Sequence, residues 1–153
     1  MLTSIVSFGQ NPAETLPNFM FFKLDNTSFT KKNLPDSKQM FFIFFDTTCE
    51  DCRETIKTLN NHIKEFKDVA IYLVTLDSQE MIRLFFSEYG KNLLNQKNVV
   101  ILQDLNNVFI RQFCPIKYPS IFLYSISKKL IFYSDEDLDL KQSLKLIYKN
   151  SSL

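Results

Sequence analysis

The sequence is short of glycine and histidine, and each shortage excludes a kind of site. The two glycines, Gly9 and Gly90, lie far apart in a chain of 153 residues. They cannot form the glycine-rich loop that cradles a phosphate or the Gly-x-Gly-x-x-Gly turn that binds a dinucleotide. The single histidine, His62, excludes a histidine-rich metal site and leaves one candidate base for a Ser-His-Asp triad. Nucleotide-dependent and histidine-dependent chemistries are therefore disfavoured.

Cysteine, net charge and long apolar runs are also scarce. Three cysteines are too few for a disulfide-stapled scaffold. The 18 basic residues balance 17 acidic ones to a net charge of +1, so neither a nucleic-acid partner nor an anionic membrane is predicted. The apolar run 40–45 has six residues, whereas a membrane-spanning helix needs about 20. What remains is cysteine chemistry or no catalysis.

The chain length predicts one folded domain with a short N-terminal extension. A hydrophobic content of 45% is enough for a core. Residues 1–10 are mildly apolar but lack the basic start and the full apolar stretch of a signal peptide. We therefore assign residues 1–16 to an N-terminal arm or the remnant of a signal peptide, and residues 17–153 to the domain.

Hydrophobic periodicity predicts strands and helices in alternation. Strands are predicted over 19–24, 39–45, 69–76, 99–102, 120–126 and 129–133, and helices over 52–66, 77–89, 105–113 and 137–149. The run 39–45 is apolar throughout, as in a strand buried on both faces, and the last two strands form a hairpin. This order predicts the α/β class, with a central mixed β-sheet and helices on both faces.

Cys49 and Cys52 are the most informative residues. They lie three apart, where a predicted buried strand gives way to the first turn of an amphipathic helix. Unpaired amides and the helix dipole favour a thiolate at Cys49, and one helical turn brings the Cys52 thiol within reach of its sulfur. The pair predicts thiol–disulfide exchange, in which Cys49 attacks a partner's disulfide and Cys52 resolves the mixed disulfide.

Two other interpretations of the pair remain open. It could bind zinc together with His62 and Cys114, although structural zinc normally uses two close pairs of ligands and these two residues are lone and distant. It could also be an inert structural disulfide. Taken alone, Cys114 is predicted to be a small buried core residue, and His62 a solvated surface residue.

The segment around Pro119 is a second candidate element. It stands directly before the predicted strand 120–126, and a proline at the start of a strand donates no ladder hydrogen bond. A cis bond between Tyr118 and Pro119 is one way to make such a turn.

At these two elements the chain resembles the thioredoxin-like superfamily, and within it the TlpA-like (redoxin) thiol-disulfide oxidoreductases. The resemblance covers about residues 17–149. Its carriers are Pro17-Asn18-Phe19, the segments Phe29–Leu34 and Met40–Cys52, and the segment Tyr118–Leu123.

The resemblance implies a thioredoxin-like fold and a role for each site residue. Cys49 is then the nucleophile, Cys52 the resolving thiol and Pro119 the cis-proline, while the backbone of Tyr118 pairs with an extended substrate segment. Thr48, next to the nucleophile, completes the predicted substrate-binding residues. No cofactor or metal is implied. The implied partners are protein disulfides or dithiols and a thiol electron donor, for a monomer in the periplasm or cell envelope, with the cytoplasm as the alternative.

The chain departs from the family pattern at two positions. Thr48 replaces the usual tryptophan, and Ile43 replaces the buried acid that accepts a proton from the resolving cysteine. Asp46, or Glu50 through water, is the candidate substitute for that acid. These departures keep open an alternative function, a thioredoxin-fold binding or chaperone-like module with inert cysteines.

Two further expectations follow from residues near the cysteines. A peroxiredoxin is disfavoured because Phe42 and Asp46 occupy the proline and threonine positions of its Pro-x-x-x-Thr-x-x-Cys pattern. Glu50 and Asp51 place negative charge beside the thiolate, and Arg53 offsets part of it. Since the reduced form is then less favoured, the couple is predicted to act in the reducing direction.

Overall fold

The strands form one mixed sheet in the computed structural model, which describes residues 11–151. In chain order the seven strands of this part of the chain are β1 (Met20–Lys23), β2 (Ser28–Thr30), β3 (Met40–Phe44), β4 (Ala70–Thr75), β5 (Val99–Gln103), β6 (Ser120–Tyr124) and β7 (Leu130–Ser134). Their order across the sheet is β2-β1-β5-β4-β3-β6-β7. Strands β3, β4 and β5 run parallel, and the outer pairings are antiparallel. The carboxyl ends of β3, β4 and β5 therefore meet at one edge.

Helices cover both faces of this sheet. They are α1 (Glu50–His62), α2 (Gln79–Tyr89), α3 (Val108–Phe113) and α4 (Leu140–Asn150), with short 3-10 turns at Lys31–Asn33 and Ile63–Phe66. Buried side chains of α1, α2 and α4 share one core cluster, and those of α3 belong to a second cluster. The predicted α/β class, with a mixed sheet between helices, is confirmed. Within residues 11–151 no helix is long and apolar enough to cross a membrane.

Strand β3 lies in the interior of the sheet, between β4 and β6, and contributes to both cores. All five of its residues are buried. Phe41 and Ile43 point to the face covered by α1, α2 and α4, whereas Phe42 and Phe44 point to the face covered by α3. Period-two alternation sends neighbouring side chains to opposite faces, so an apolar run of this kind must be buried on both sides.

The face covered by α3 is filled mainly by aromatic rings. The rings of Phe109 and Phe113 stack at 4.1 Å between centroids, and Phe109 stacks on Phe44 at 4.5 Å. A helix of six residues covers little of the sheet, so large side chains supply the buried volume that longer helices supply on the other face. The aromatic residues of the sequence thus serve the core.

The structure differs from the predicted elements in three places. Strand β2 was not predicted; after the turn at Asn26 (φ 67°) it pairs with β1. Helix α3 begins three residues later than predicted, because the carboxylate of Asp104 accepts the amides of 106, 108 and 109 and holds a turn there. Helix α4 begins at Leu140, since Asp139 is its N-cap.

Residues 13–16, which were assigned to the N-terminal arm, contact the folded core. Ala13 donates to the carbonyl of Phe113 at 2.9 Å and accepts from the hydroxyl of Tyr124 at 2.8 Å. Leu16 is buried and donates to the carbonyl of Lys128. The packed chain thus begins before residue 17. The predicted signal-peptide remnant over 1–10 lies outside the described residues.

Candidate active site

Cys49 stands at the N-cap of α1 with its sulfur directed at the first turn. Its Sγ accepts the backbone N–H of Cys52 at 3.2 Å, and its carbonyl accepts the N–H of Arg53 at 3.1 Å. The residue is half-buried. An amide aimed at a sulfur at the positive end of a helix stabilises negative charge on that sulfur.

Cys52 lies one turn further along α1 and faces the core. Its side chain is fully buried in the cluster that includes Ile56 and Leu59. Burial raises the pKa of the Cys52 thiol far above its usual range, and the hydrogen bond with Cys49 raises it further. Cys52 is therefore held as a protonated thiol, one helical turn behind the half-buried Cys49.

Carboxylates hold the loop between β3 and α1. Asp46 accepts the N–H of Thr48 at 2.7 Å and its hydroxyl at 2.6 Å. Asp77, which follows β4, accepts the N–H of Thr47 at 2.8 Å and the hydroxyl of Thr75 at 2.9 Å. The loop is thus tied both within itself and to the neighbouring parallel strand.

Sequence reasoning did not identify Asp77 as part of the site. The signal was its position: Asp77 follows β4 as Asp46 follows β3, and the two strands pair in parallel. Acids after adjacent parallel strands lie at the same edge of a sheet, where α/β proteins build their sites.

The segment before β6 lies beside this loop. Phe44 at the end of β3 pairs with Ser120 at the start of β6, which brings Tyr118 and Pro119 next to the loop that carries Cys49. The peptide bond between Tyr118 and Pro119 is cis. The Tyr118 ring packs 4.8 Å from the Phe44 ring. Burial raises the pKa of the Tyr118 phenol to about 12, and Asp46 and Asp77 add to the effect, so the phenol stays protonated at neutral pH.

Other residues of the predicted site are found on the solvent side. Thr48 and Glu50 are exposed, and Asp46 is half-buried. The Arg53 guanidinium lies over the ring of Tyr89 at 4.9 Å.

No ion pair between described residues joins Arg53 to Glu50 or Asp51. No direct contact therefore supports the expected compensation of the Glu50 and Asp51 charges by Arg53.

The four possible zinc ligands do not come together. His62 is the last residue of α1, about 20 Å along the helix from Cys49, and its Nδ1 pairs with Glu65 at 2.9 Å. Cys114 caps the end of α3, which covers the opposite face from α1, and is half-buried rather than in the core as predicted. Among residues 11–151 no three His, Cys, Asp or Glu side chains are placed to hold a metal ion.

A sheet of this order, with a C-x-x-C pair at the start of the helix that follows the interior strand β3, defines the class of thioredoxin-like oxidoreductases. The comparison with family models gives the family as well. The model described as the AhpC/TSA family matches residues 12–132. The chain belongs to this family, and the resemblance to redoxin-type proteins is confirmed.

Solved structures share the fold at low sequence identity. A putative thiol:disulfide interchange protein DsbE from Chlorobium tepidum is 14% identical, with a TM-score of 0.74, and the match covers 92% of this chain and 98% of that one. A secreted Mycobacterium tuberculosis disulfide oxidoreductase homologous to E. coli DsbE is 15% identical, with a TM-score of 0.70 and coverage of 86% and 95%.

The protein BsSco, of the Sco family of cytochrome c oxidase assembly proteins, is 16% identical, with a TM-score of 0.72 and coverage of 94% and 97%. Comparison of the sequence with curated proteins found no significant match. At these identities the likeness is one of fold.

Proposed function

We propose that the protein exchanges thiols and disulfides with other proteins through Cys49 and Cys52. The observation that carries this proposal is the unequal environment of the two sulfurs. Cys49 is half-buried and its sulfur accepts a helix amide, whereas Cys52 is fully buried one turn behind it. Such a pair divides the work between a sulfur that meets the substrate and a sulfur that releases it.

The reaction conserves electrons between protein and substrate. The Cys49 thiolate attacks one sulfur of a substrate disulfide, the substrate S–S bond breaks, and the other substrate sulfur leaves as a thiolate. Cys52 then loses its proton and attacks the Cys49 sulfur, which releases the second substrate thiolate. The substrate gains two electrons and the Cys49–Cys52 pair is oxidised, so a thiol electron donor must reduce the pair again.

Asp46 is the acid/base candidate for Cys52. Its backbone hydrogen bond lowers the pKa of the Cys52 thiol and its charge raises it, and both effects support Asp46 as a neighbour of that thiol. Its Oδ1 already accepts from Thr48, and a carboxylate has further lone pairs to offer. Glu50 is exposed and would act only through water.

The direction we propose is reduction of substrate disulfides. Glu50 and Asp51 lie exposed in the first turn of α1, and the Arg53 guanidinium lies over Tyr89 instead of pairing with them. Unpaired negative charge near Cys49 opposes its thiolate, which disfavours the reduced pair and makes the couple a better reductant.

The substrate would contact three residues around Cys49, and its place in the cell follows as a proposal. Thr48 is exposed beside the sulfur, and Tyr118 and Pro119 lie on the adjacent loop. We propose protein disulfides as substrates of a monomeric protein in the cell envelope. The secreted disulfide oxidoreductase with the same fold supports that compartment.

Insulin reduction with dithiothreitol as donor tests the proposal. The wild-type protein is expected to accelerate reduction, Cys49→Ser to abolish the acceleration, and Cys52→Ser to accumulate a mixed disulfide with insulin. Cys114→Ser is the matched control and is expected to keep full activity. A wild-type protein without activity, or a Cys49→Ser variant that retains it, would contradict the proposal.

A binding module with inert cysteines is the second candidate. The observation in its favour is Ile43, which is fully buried where related oxidoreductases carry an acid. Alkylation of the reduced protein by iodoacetamide separates the two functions. An inert module leaves Cys49 no more reactive toward iodoacetamide than Cys114, whereas the proposed nucleophile is alkylated first.

A further inference from the structure

A chain of hydrogen bonds runs through the loop that carries Tyr118. The N–H of Ile116 donates to the Tyr133 hydroxyl at 2.9 Å, and the Ser120 hydroxyl donates to the carbonyl of Lys117 at 2.6 Å. The hydroxyls of Tyr133 and Ser120 lie 3.0 Å apart. Because Ser120 has already given its hydrogen to Lys117, Tyr133 must donate to Ser120. Every bond in this chain therefore has one direction.

The chain joins the two ends of the loop to each other. Ile116 and Lys117 precede Tyr118, and Ser120 follows Pro119. Among the groups in this series of hydrogen bonds, only the Tyr133 hydroxyl comes from outside the loop, so it connects both ends of the loop to strand β7. Hydrogen bonds that pass from one hydroxyl to the next strengthen each other in a site of low polarity.

The position of Tyr133 is set by the sheet rather than by the loop. Tyr133 on β7 pairs with Phe122 on β6, and its ring packs edge-on against the Phe122 ring, with 4.8 Å between the ring centroids. Ser120 is fully buried. The hydroxyl therefore acts from a rigid support, which is what a positioning group requires.

The backbone of Tyr118 is left available by this arrangement. Between described residues, neither its N–H nor its carbonyl has a hydrogen-bond partner, although both neighbouring stretches of the loop are bonded through Tyr133 and Ser120. An extended polypeptide segment pairs with backbone groups that are free and held in place.

We propose that Tyr133 is a positioning residue that holds loop 116–120 ready for an extended substrate segment, and so favours polypeptide disulfides over small ones. This inference rests on the proposed function. A polypeptide substrate needs the aligned backbone of Tyr118 as well as the Cys49 sulfur. A small disulfide has no backbone and needs only the sulfur, so a disturbed loop affects the two substrates differently.

The test compares two disulfides and two tyrosines. Tyr133→Phe is assayed with insulin and with 5,5′-dithiobis(2-nitrobenzoate), a small disulfide without a peptide backbone. Tyr124→Phe is the control, because the Tyr124 hydroxyl likewise bonds to the protein, with a single hydrogen bond to the carbonyl of Ala13, away from this loop.

Tyr133→Phe removes both hydrogen bonds of this hydroxyl, and it is expected to raise the KM for insulin about 3- to 10-fold, an effect the size of one net hydrogen bond, with kcat nearly unchanged. Its rate with the small disulfide should equal that of the wild type, and Tyr124→Phe should change neither substrate. Equal losses with both substrates, or no change with insulin, would overturn the inference.

Ser120→Ala removes the next hydroxyl of the chain and provides a second route to the same answer. Its KM for insulin is expected to rise as in Tyr133→Phe. In the double variant the rise in KM, expressed as a free energy, should be smaller than the sum of the rises in the two single variants. Additive effects would show that the two hydroxyls act separately and would contradict the inference. A wild-type protein that reduces neither disulfide would refute the proposed function itself, an outcome distinct from both.

Discussion

The two loops that form the site are held by different chemistry. The loop that carries Cys49 is held by carboxylates, since Asp46 and Asp77 both accept hydrogen bonds from it. The loop that carries Tyr118 is held by the neutral hydroxyls of Ser120 and Tyr133. Charged side chains thus hold the loop near the sulfur, where they influence the redox couple, whereas uncharged hydroxyls hold the loop that we propose binds the substrate.

The largest expected effect comes from the residue that supports both loops. Phe44 is the last residue of β3 and is almost fully buried. Its ring packs against the Tyr118 ring, with 4.8 Å between the ring centroids. Phe44→Ala is expected to lower the free energy of unfolding by about 3–5 kcal/mol, measured by urea denaturation.

Phe41→Ala is the control on the opposite face of β3, where the ring meets Phe66. Phe41→Ala should lower the free energy of unfolding by a similar amount but leave the insulin KM unchanged. Phe44→Leu, by contrast, should raise that KM. If Phe44→Leu left the KM unchanged, packing beneath Tyr118 would not matter to the substrate.

Removal of Asp77 should loosen only the cysteine loop. Asp77→Ala leaves the N–H of Thr47 and the hydroxyl of Thr75 without their acceptor, and we expect a loss of about 1–3 kcal/mol in urea unfolding. Asp77→Asn keeps an acceptor oxygen and should lose less.

Asp25→Ala is the matched control, because the Asp25 carboxylate makes the same kind of contacts with Thr27 in an exposed turn. The prediction is wrong if Asp25→Ala lowers the free energy of unfolding as much as Asp77→Ala does. It is also wrong if Asp77→Ala raises the insulin KM without lowering the free energy of unfolding.

The acidic pair between the cysteines should tune the potential. Glu50→Gln and Asp51→Asn each remove a charge that opposes the Cys49 thiolate, so the reduced form gains. We expect the reduction potential to become less negative by about 10–20 mV for each change, measured by equilibration with glutathione.

Glu54→Gln is the control for the potential, since Glu54 lies further along α1 and pairs with Lys57 at 3.0 Å. It should shift the potential less. A shift to more negative values in Glu50→Gln or Asp51→Asn would contradict the proposed role of these charges.

The smallest effect concerns Asp137, an exposed acid before α4. Partial burial, together with Asp51 and Glu54, raises the pKa of its carboxyl. A raised pKa means that ionisation is less favourable in the folded than in the unfolded chain, a cost that is complete above the folded pKa and absent at low pH. Asp137→Asn should therefore raise Tm at pH 7 by about 1–2 °C and not at pH 2. A gain of the same size at both pH values would exclude an electrostatic cause.

The sequence predicted the order of strands and helices well, because that order follows from the spacing of hydrophobic residues that are neighbours in the sequence. The spacing of Cys52, Ile56 and Leu59 predicted α1, and α2 ends at Tyr89 as predicted. Strand β2 was missed since its three residues are too few to show a period. Periodicity is a property of neighbouring residues, and short elements depend on their partners instead.

The site was predicted in part for the same reason. Cys49 and Cys52 are neighbours in the sequence, so their approach at the start of a helix could be read directly. Asp77 contacts Thr47 across 30 residues, and Tyr133 contacts Ser120 across 13. Such contacts exist only once the strands are paired in register.

The sequence alone thus determined the class of fold and the reactive pair, since hydrophobic period and helix-start geometry act over a few residues. Tertiary structure decided the depth of each sulfur, the faces to which the apolar residues of β3 point, and the distant groups that hold the two loops. These depend on the pairing of strands far apart in the chain, where burial and hydrogen-bond geometry are properties of the assembled sheet.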